Sequence, residues 1–329
     1  MRRFLPDTFT ILLVLTVAIA SVLPVSGEPA AWFSVATKCA IALLFFLHGS
    51  RLSRDVVVAG ILHWRLHLVI LATTFGIFPL IGIGLGYLDV IPPALYAGIL
   101  FICVLPSTVQ SSIAFTSMAG GNVPAAICSA SASNIFGMFL TPLLVGLLFT
   151  AGAGQGGFSL DALEQILLQL LVPFLLGQVL QPWIGDWIRA RKKLLMPVDR
   201  GSILMVVYLA FSESVTEGLW HSISLHDIAT VVIADIAILA IVLVVTALGS
   251  RLLGFSREDR IAIVFCGSKK SLASGVPMAS AIFAGQSIGA IVLPLMLFHQ
   301  IQLIVCAVLA QKYAAANARA ALGEPAPAQ

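Results

Sequence analysis

Fifteen of the eighteen lysines and arginines in this chain fall in alternate gaps between its apolar stretches. Those stretches lie at roughly 8–25, 31–50, 66–88, 94–118, 122–150, 162–185, 200–219, 228–250, 260–284 and 287–311. Each is close to the ~20 residues that cross a hydrocarbon core about 30 Å thick. The basic gaps hold Arg2 and Arg3; Arg51, Arg54 and Arg65; Arg189, Arg191, Lys192, Lys193 and Arg200; Arg251, Arg257 and Arg260; and Lys312 and Arg319. The other gaps hold no Lys or Arg. Segregation this complete predicts an even number of spans with both termini on the cytoplasmic side of the inner membrane. Composition agrees: 10% of residues are charged and 59% hydrophobic, whereas soluble domains carry about 25% charged residues. The chain therefore reads as an all-α, multi-pass protein with ten transmembrane helices. Its solvent is the lipid bilayer, and nothing in it suggests nucleic-acid binding.

The opening MRRFLPDTFTILLVLTVAIASVLPVSG has the basic and apolar parts of a signal peptide. An uncleaved first span keeps the count of ten and is the reading adopted. The five cysteines are odd in number, lie in apolar segments and form no CxxC. They read as small buried hydrophobes rather than a disulfide framework or a metal site. No cofactor is expected.

The Gly-rich 151–161 divides the chain into an N-terminal five-helix repeat (1–150) and a C-terminal one (162–312), with a cytoplasmic tail at 313–329. Five spans per half force the halves into opposite orientations, an inverted repeat of the kind built into many secondary transporters. Residues 108–119 (TVQSSIAFTSMA) align without gaps on 268–279 (SKKSLASGVPMA), both in the fourth span of their half. Ser111 meets Ser271, Met118 meets Met278 and Ala119 meets Ala279.

Within the ninth span stand Lys269 and Lys270. Counted from Arg260 along a helix they lie about 14 Å deep, where a charge costs at least ~2.5–3.5 kcal/mol. Their neighbours Gly267, Ser268, Ser271, Ser274, Gly275 and Pro277 suit a broken helix lining a polar cavity. The rival reading makes 260–271 a solvated loop. The fourth span carries a matching polar cluster, Ser107, Thr108, Gln110, Ser111 and Ser112, directly after Pro106, which disfavours helix before it. The fifth span adds Ser129, Ser131, Ser133 and Asn134, which serve equally as small packing residues or as polar ligands. Glu213 and Asp235 are the candidate charge partners or proton carriers for a lysine. Lys38 is expected to snorkel outward, and His48 to sit at the inner membrane boundary.

These segments resemble the bile acid:sodium symporter superfamily (solute carrier family 10), in particular its bacterial branch related to the seventh member. The likeness is carried by FFLHGSRLS, LPSTVQSSIAFTSMAGGN, Thr141-Pro142 and GSKKSLASGVPMA, and runs along essentially the whole chain. It implies ten helices in two inverted repeats, discontinuous fourth and ninth helices that cross near the midplane, and organic anions as substrates. It also implies two Na⁺ ions beside the crossing, yet the residues depart from that pattern. Ser111-Ser112 stand where the family has Ser-Asn, Phe265 where it has a glutamate shared by both ions, and Lys269 where it has a glutamine. Ser111 and Ser112 remain weak Na⁺ candidates.

The sequence thus points to a secondary active transporter of a small organic anion. A lysine supplies the charge that Na⁺ supplies in relatives, and H⁺ or no coupling ion is favoured over two Na⁺. The alternatives are a Na⁺-coupled symporter, a membrane regulator of ion homeostasis and, least favoured, a Ser–Lys hydrolase, which lacks an oxyanion device.

Overall fold

The computed structural model describes residues 8–51, 63–152, 160–283 and 288–321, and their regular structure is helical throughout. Arg2, Arg3, Arg54, most of the linker and the end of the tail lie outside the described residues. Besides a single turn at Leu219–Ser222, the helices are α1 (Thr8–Val22), α2 (Gly27–Arg51), α3 (Trp64–Gly86), α4 (Pro93–Val104), α5 (Gln110–Met118), α6 (Val123–Gly152), α7 (Leu160–Ala190), α8 (Lys192–Thr216), α9 (Leu225–Leu252), α10 (Arg257–Gly267), α11 (Leu272–Ile282) and α12 (Ile288–Ala321). Six of them, α2, α3, α6, α8, α9 and α12, are long and apolar enough to cross a membrane. With outward-facing Leu80, Leu147, Ile233 and Ile304 all more than half exposed, this is a multi-pass membrane protein.

Local chemistry sets the helix ends. Pro93 opens α4, where its missing N–H costs nothing. Ser224 and Asp227 form a reciprocal capping box at the start of α9, with bonds of 3.2 and 2.8 Å. Ser256 caps α10 through the Asp259 amide at 3.1 Å. The basic gap at 189–200 is not a loop. α7 runs to Ala190, Arg191 alone makes the turn, and α8 begins at Lys192. The Arg191 guanidinium lies 4.3 Å over the Trp187 ring, which helps to hold that tight reversal. The expected tail begins as helix too, since α12 continues unbroken to Ala321.

α2 and α7 pack by mutual removal of side chains. A Cβ at Gly49 would strike the carbonyl oxygen of Phe174, and one at Gly177 would strike that of Phe46. The two backbones touch because each places glycine opposite the other's carbonyl. α1 and α8 complete this block. The other helices enclose a core that includes Phe78, Phe101, Phe283 and Phe298, all fully buried.

Candidate functional site

The fourth and ninth stretches are both broken, and the breaks meet. After α4 the chain runs extended from Leu105, and helix resumes at Gln110. After α10 it leaves the helix at Ser268 and re-enters at Leu272, capped by the Ser271 hydroxyl on the Ser274 amide at 3.2 Å. The Ser271 amide donates to the Pro106 carbonyl at 2.9 Å, which joins the two breaks directly.

A helix end buried in a membrane must find partners for its last carbonyls, and each break supplies them for the other. Lys270 Nζ donates to the carbonyls of Cys103 (3.0 Å) and Leu105 (2.8 Å) at the end of α4. Thr141 takes the Val104 carbonyl at 2.7 Å, and the Asn134 amide takes that of Ser107 at 2.8 Å. In return, the Ser107 hydroxyl caps the Cys266 carbonyl at 2.6 Å and the Ser112 hydroxyl the Phe265 carbonyl at 3.1 Å. Ser133 accepts the Ser107 amide at 3.0 Å.

The third oxygen on Lys270 Nζ is the carbonyl of Thr74, at 2.7 Å. Its availability is written into α3. Residues Thr73–Ile77 form a π-helical step in which the Phe78 amide reaches back five residues to the Thr73 carbonyl. The next acceptor in that series is Thr74, and its donor would be residue 79. That residue is Pro79, which has no N–H. The Thr74 carbonyl is therefore left open for the lysine. Three carbonyl oxygens and the Phe78 ring, 3.9 Å below, surround the ammonium. Gln302 of α12 clamps the Lys270 backbone from behind, accepting its amide at 2.9 Å and donating to its carbonyl at 2.8 Å.

Lys269 is held differently. Its Nζ has no hydrogen-bond partner and lies 3.8 Å from the Phe115 ring and 5.7 Å from that of Phe265. Both lysines are fully buried, which rules out the solvated-loop reading of 260–271.

Most residues singled out in the sequence gather here. Thr108 bonds to the hydroxyls of Ser111 (2.7 Å) and Ser112 (3.1 Å), and Asn134 accepts from Ser274 at 2.7 Å. Gln110 is exposed and lines the cavity described below. The Ser268 hydroxyl folds back on the Val264 carbonyl at 2.6 Å. Ser129 points elsewhere, bonded to His67 Nδ1 at 2.6 Å.

Neither candidate charge partner, Glu213 or Asp235, makes an ion pair with the lysines among the described residues. Glu213 lies within electrostatic reach of Lys38 on α2 instead, and the carboxylate of fully buried Asp235 has no hydrogen-bond partner. For Lys270, the carbonyls of Thr74, Cys103 and Leu105 already occupy the ammonium's donors. Thr74, Pro79 and Gln302 escaped the sequence reading. A proline five residues after a threonine in an apolar helix was the available signal for the first two.

A cavity of about 230 Å³ opens beside the crossing, between its polar face and α1, α2 and α8. The crossing contributes Thr108, Gln110, Ser111, Asn134, Ser271 and Ser274. The opposite wall holds Arg51, whose Nη1 pairs with Asp199 Oδ2 at 2.6 Å. Its Nε and Nη2 are buried without a partner. His48 shares that wall. The first turns of α5 and α11 also face the cavity, so two positive helix ends point into it.

Broken helices crossing beside a charged cavity are the geometry of a transporter. The sequence matches the SBF-like CPA transporter family over residues 7–315. The chain belongs to that family. It is similar to PA2026 of Pseudomonas aeruginosa (57% identity over 326 residues, 98% of each chain). It is also similar to the Escherichia coli protein named "Putative symporter YfeH" (52% over 309 residues, 93% of this chain and 92% of the other). A more distant relative is the Xenopus laevis protein named sodium/bile acid cotransporter 7-B (30% over 320 residues, 94% and 92%). The protein is a membrane transporter of the bile acid:sodium symporter-like kind and not an enzyme.

Proposed function

We propose that this transporter moves a small organic anion by alternating access at the crossing, with the Lys270 ammonium standing where relatives hold a sodium ion. The supporting observation is the seat of that ammonium: three backbone carbonyls at 2.7–3.0 Å, two of them at the C-terminal end of a half-helix. Such ends coordinate Na⁺ in transporters with broken helices. A fixed positive charge there repels a nearby Na⁺ by about 4 kcal/mol at 4 Å and an effective dielectric near 20. The anion enters the 230 Å³ cavity, whose wall includes Arg51, and a small turn of that side chain would present its unpartnered Nε and Nη2 edge to a carboxylate or sulfonate for two parallel hydrogen bonds.

In this reading the ten spans form two inverted five-helix repeats, with both termini in the cytoplasm and the protein in the inner membrane. The α1–α2–α7–α8 block moves against the crossing. Coupling is to H⁺ or to no ion. The name of the 30% identical relative, a sodium/bile acid cotransporter, favours a second reading, Na⁺ symport. Reconstitution into liposomes with imposed Na⁺ or H⁺ gradients, against a panel of carboxylates and sulfonates, separates the two. Uptake that survives replacement of Na⁺ by choline upholds the first. Uptake that is strictly Na⁺-dependent and saturates in millimolar Na⁺ establishes the second.

A further inference from the structure

A second cavity, of about 540 Å³, lies where the end of α9, the start of α10 and the late part of α12 converge. Its lining includes Arg251, Arg257, Arg260 and Lys312 and no acidic residue. A transporter's cytoplasmic edge is basic in general, but scattered charges need not share one pocket. Here three helices aim four cations at the same space. On α10, Arg257, Arg260, Ile261 and Val264 recur at three- and four-residue spacing and so share one face. None of the four makes an ion pair among the described residues. Of the two adjacent carboxylates, Asp259 accepts from the Asn122 amide at 2.7 Å, and Glu258 does not line the pocket. The Tyr313 hydroxyl lies within electrostatic reach of Arg257 and Arg260, adding a neutral donor. Beside the pocket, Leu248 and Leu252 are 55% and 87% exposed, which offers apolar surface next to the charges.

We propose that this pocket binds a phosphate-bearing anion, seated as the headgroup of an anionic phospholipid with its acyl chains along Leu248 and Leu252. Basic pockets between helices at a membrane boundary take phospholipid headgroups in this way. The ligand is distinct from the transported solute, whose cavity shares no lining residue with this one.

The full-length protein, stripped of lipid in a neutral detergent, is titrated with phosphatidylglycerol or with phosphatidylcholine of the same acyl chains, and separately with inorganic phosphate. Bound species are counted by native mass spectrometry. Phosphatidylglycerol is expected to bind in preference to phosphatidylcholine. Arg257→Gln and Arg260→Gln should each weaken it about fivefold. Arg191→Gln, an equal loss of charge at the α7–α8 turn, should leave it unchanged. Lys312→Gln, on a different helix, repeats the test should the α10 variants not fold. Displacement of the lipid by millimolar phosphate upholds the site and assigns it to a soluble phosphate. Equal binding of both lipids, an equal loss in Arg191→Gln, or wild-type binding by the pocket variants overturns it.

Discussion

Lys270 Nζ lies 2.8 Å from the Leu105 carbonyl oxygen, across 165 residues of sequence, and so closes the end of one broken helix with a side chain from the other. Losing it should be felt first in stability. Lys270→Met leaves three buried carbonyls without donors, at about 1–3 kcal/mol each. Lys269→Met removes an ammonium that has no hydrogen bond and keeps a sulfur near the Phe115 ring. Thermal melting in detergent should show a clear drop for the first variant and little change for the second. Equal melting temperatures would contradict the reciprocal capping described above.

If the ammonium stands in for an ion, a real ion should be able to replace it. Lys270→Ala vacates the three-carbonyl seat, and Na⁺ or methylammonium should then stabilise the variant in a concentration-dependent way. The wild type should show no such response. Melting curves in choline, Na⁺ and methylammonium chloride provide the comparison, and a variant indifferent to all three argues against the substitution of lysine for sodium.

Pro79 keeps a competing donor away from the Thr74 carbonyl. Pro79→Ala restores an N–H within reach of it and should weaken one of the three contacts, at a cost of about 1 kcal/mol, although proline-to-alanine in a helix is otherwise favourable. A melting temperature above wild type, with transport intact, would show that the π-helical step plays no part in holding Lys270.

Arg51 tests the anion. Arg51→Lys keeps the charge but loses the two-pronged edge, so KM in liposome uptake should rise tenfold or more while the variant stays folded. Arg51→Gln should lose transport. An unchanged KM in Arg51→Lys would place the substrate's acid group elsewhere in the cavity.

Asp235 is buried with both carboxylate oxygens unpartnered, an arrangement that disfavours folding unless function requires it. Asp235→Asn should raise the melting temperature. If transport is proton-driven through this group, the same variant should lose its response to an imposed pH gradient; retention of that response assigns the proton elsewhere.

The fold was legible because the bilayer allows so few solutions. Charge segregation and apolar length locate the helices, and Pro106 and Gly267 mark the two breaks. The tight turn at Arg191 was hidden because α7 and α8 continue past their apolar windows into polar ends. Within the site, the residue types were visible but their pairings were not. Ser129 and Ser133 look alike in sequence, and only packing sends one to His67 and the other to Ser107. The missing counter-charge was the largest surprise. Sequence reasoning seeks a carboxylate for a buried lysine, whereas backbone carbonyls leave no mark in the side-chain alphabet.

The tether on Lys270 has a thermodynamic consequence. A sodium ion that rides with its substrate leaves on the far side, and its descent performs work. A cation bonded to the chain returns with every cycle, so it can complete the site's electrostatics but deliver no energy. If Lys270 stands in for sodium, accumulation against a gradient requires some other ion to travel. Without one, this protein brings its solute only to electrochemical balance across the membrane, in whichever direction the cell's metabolism pulls.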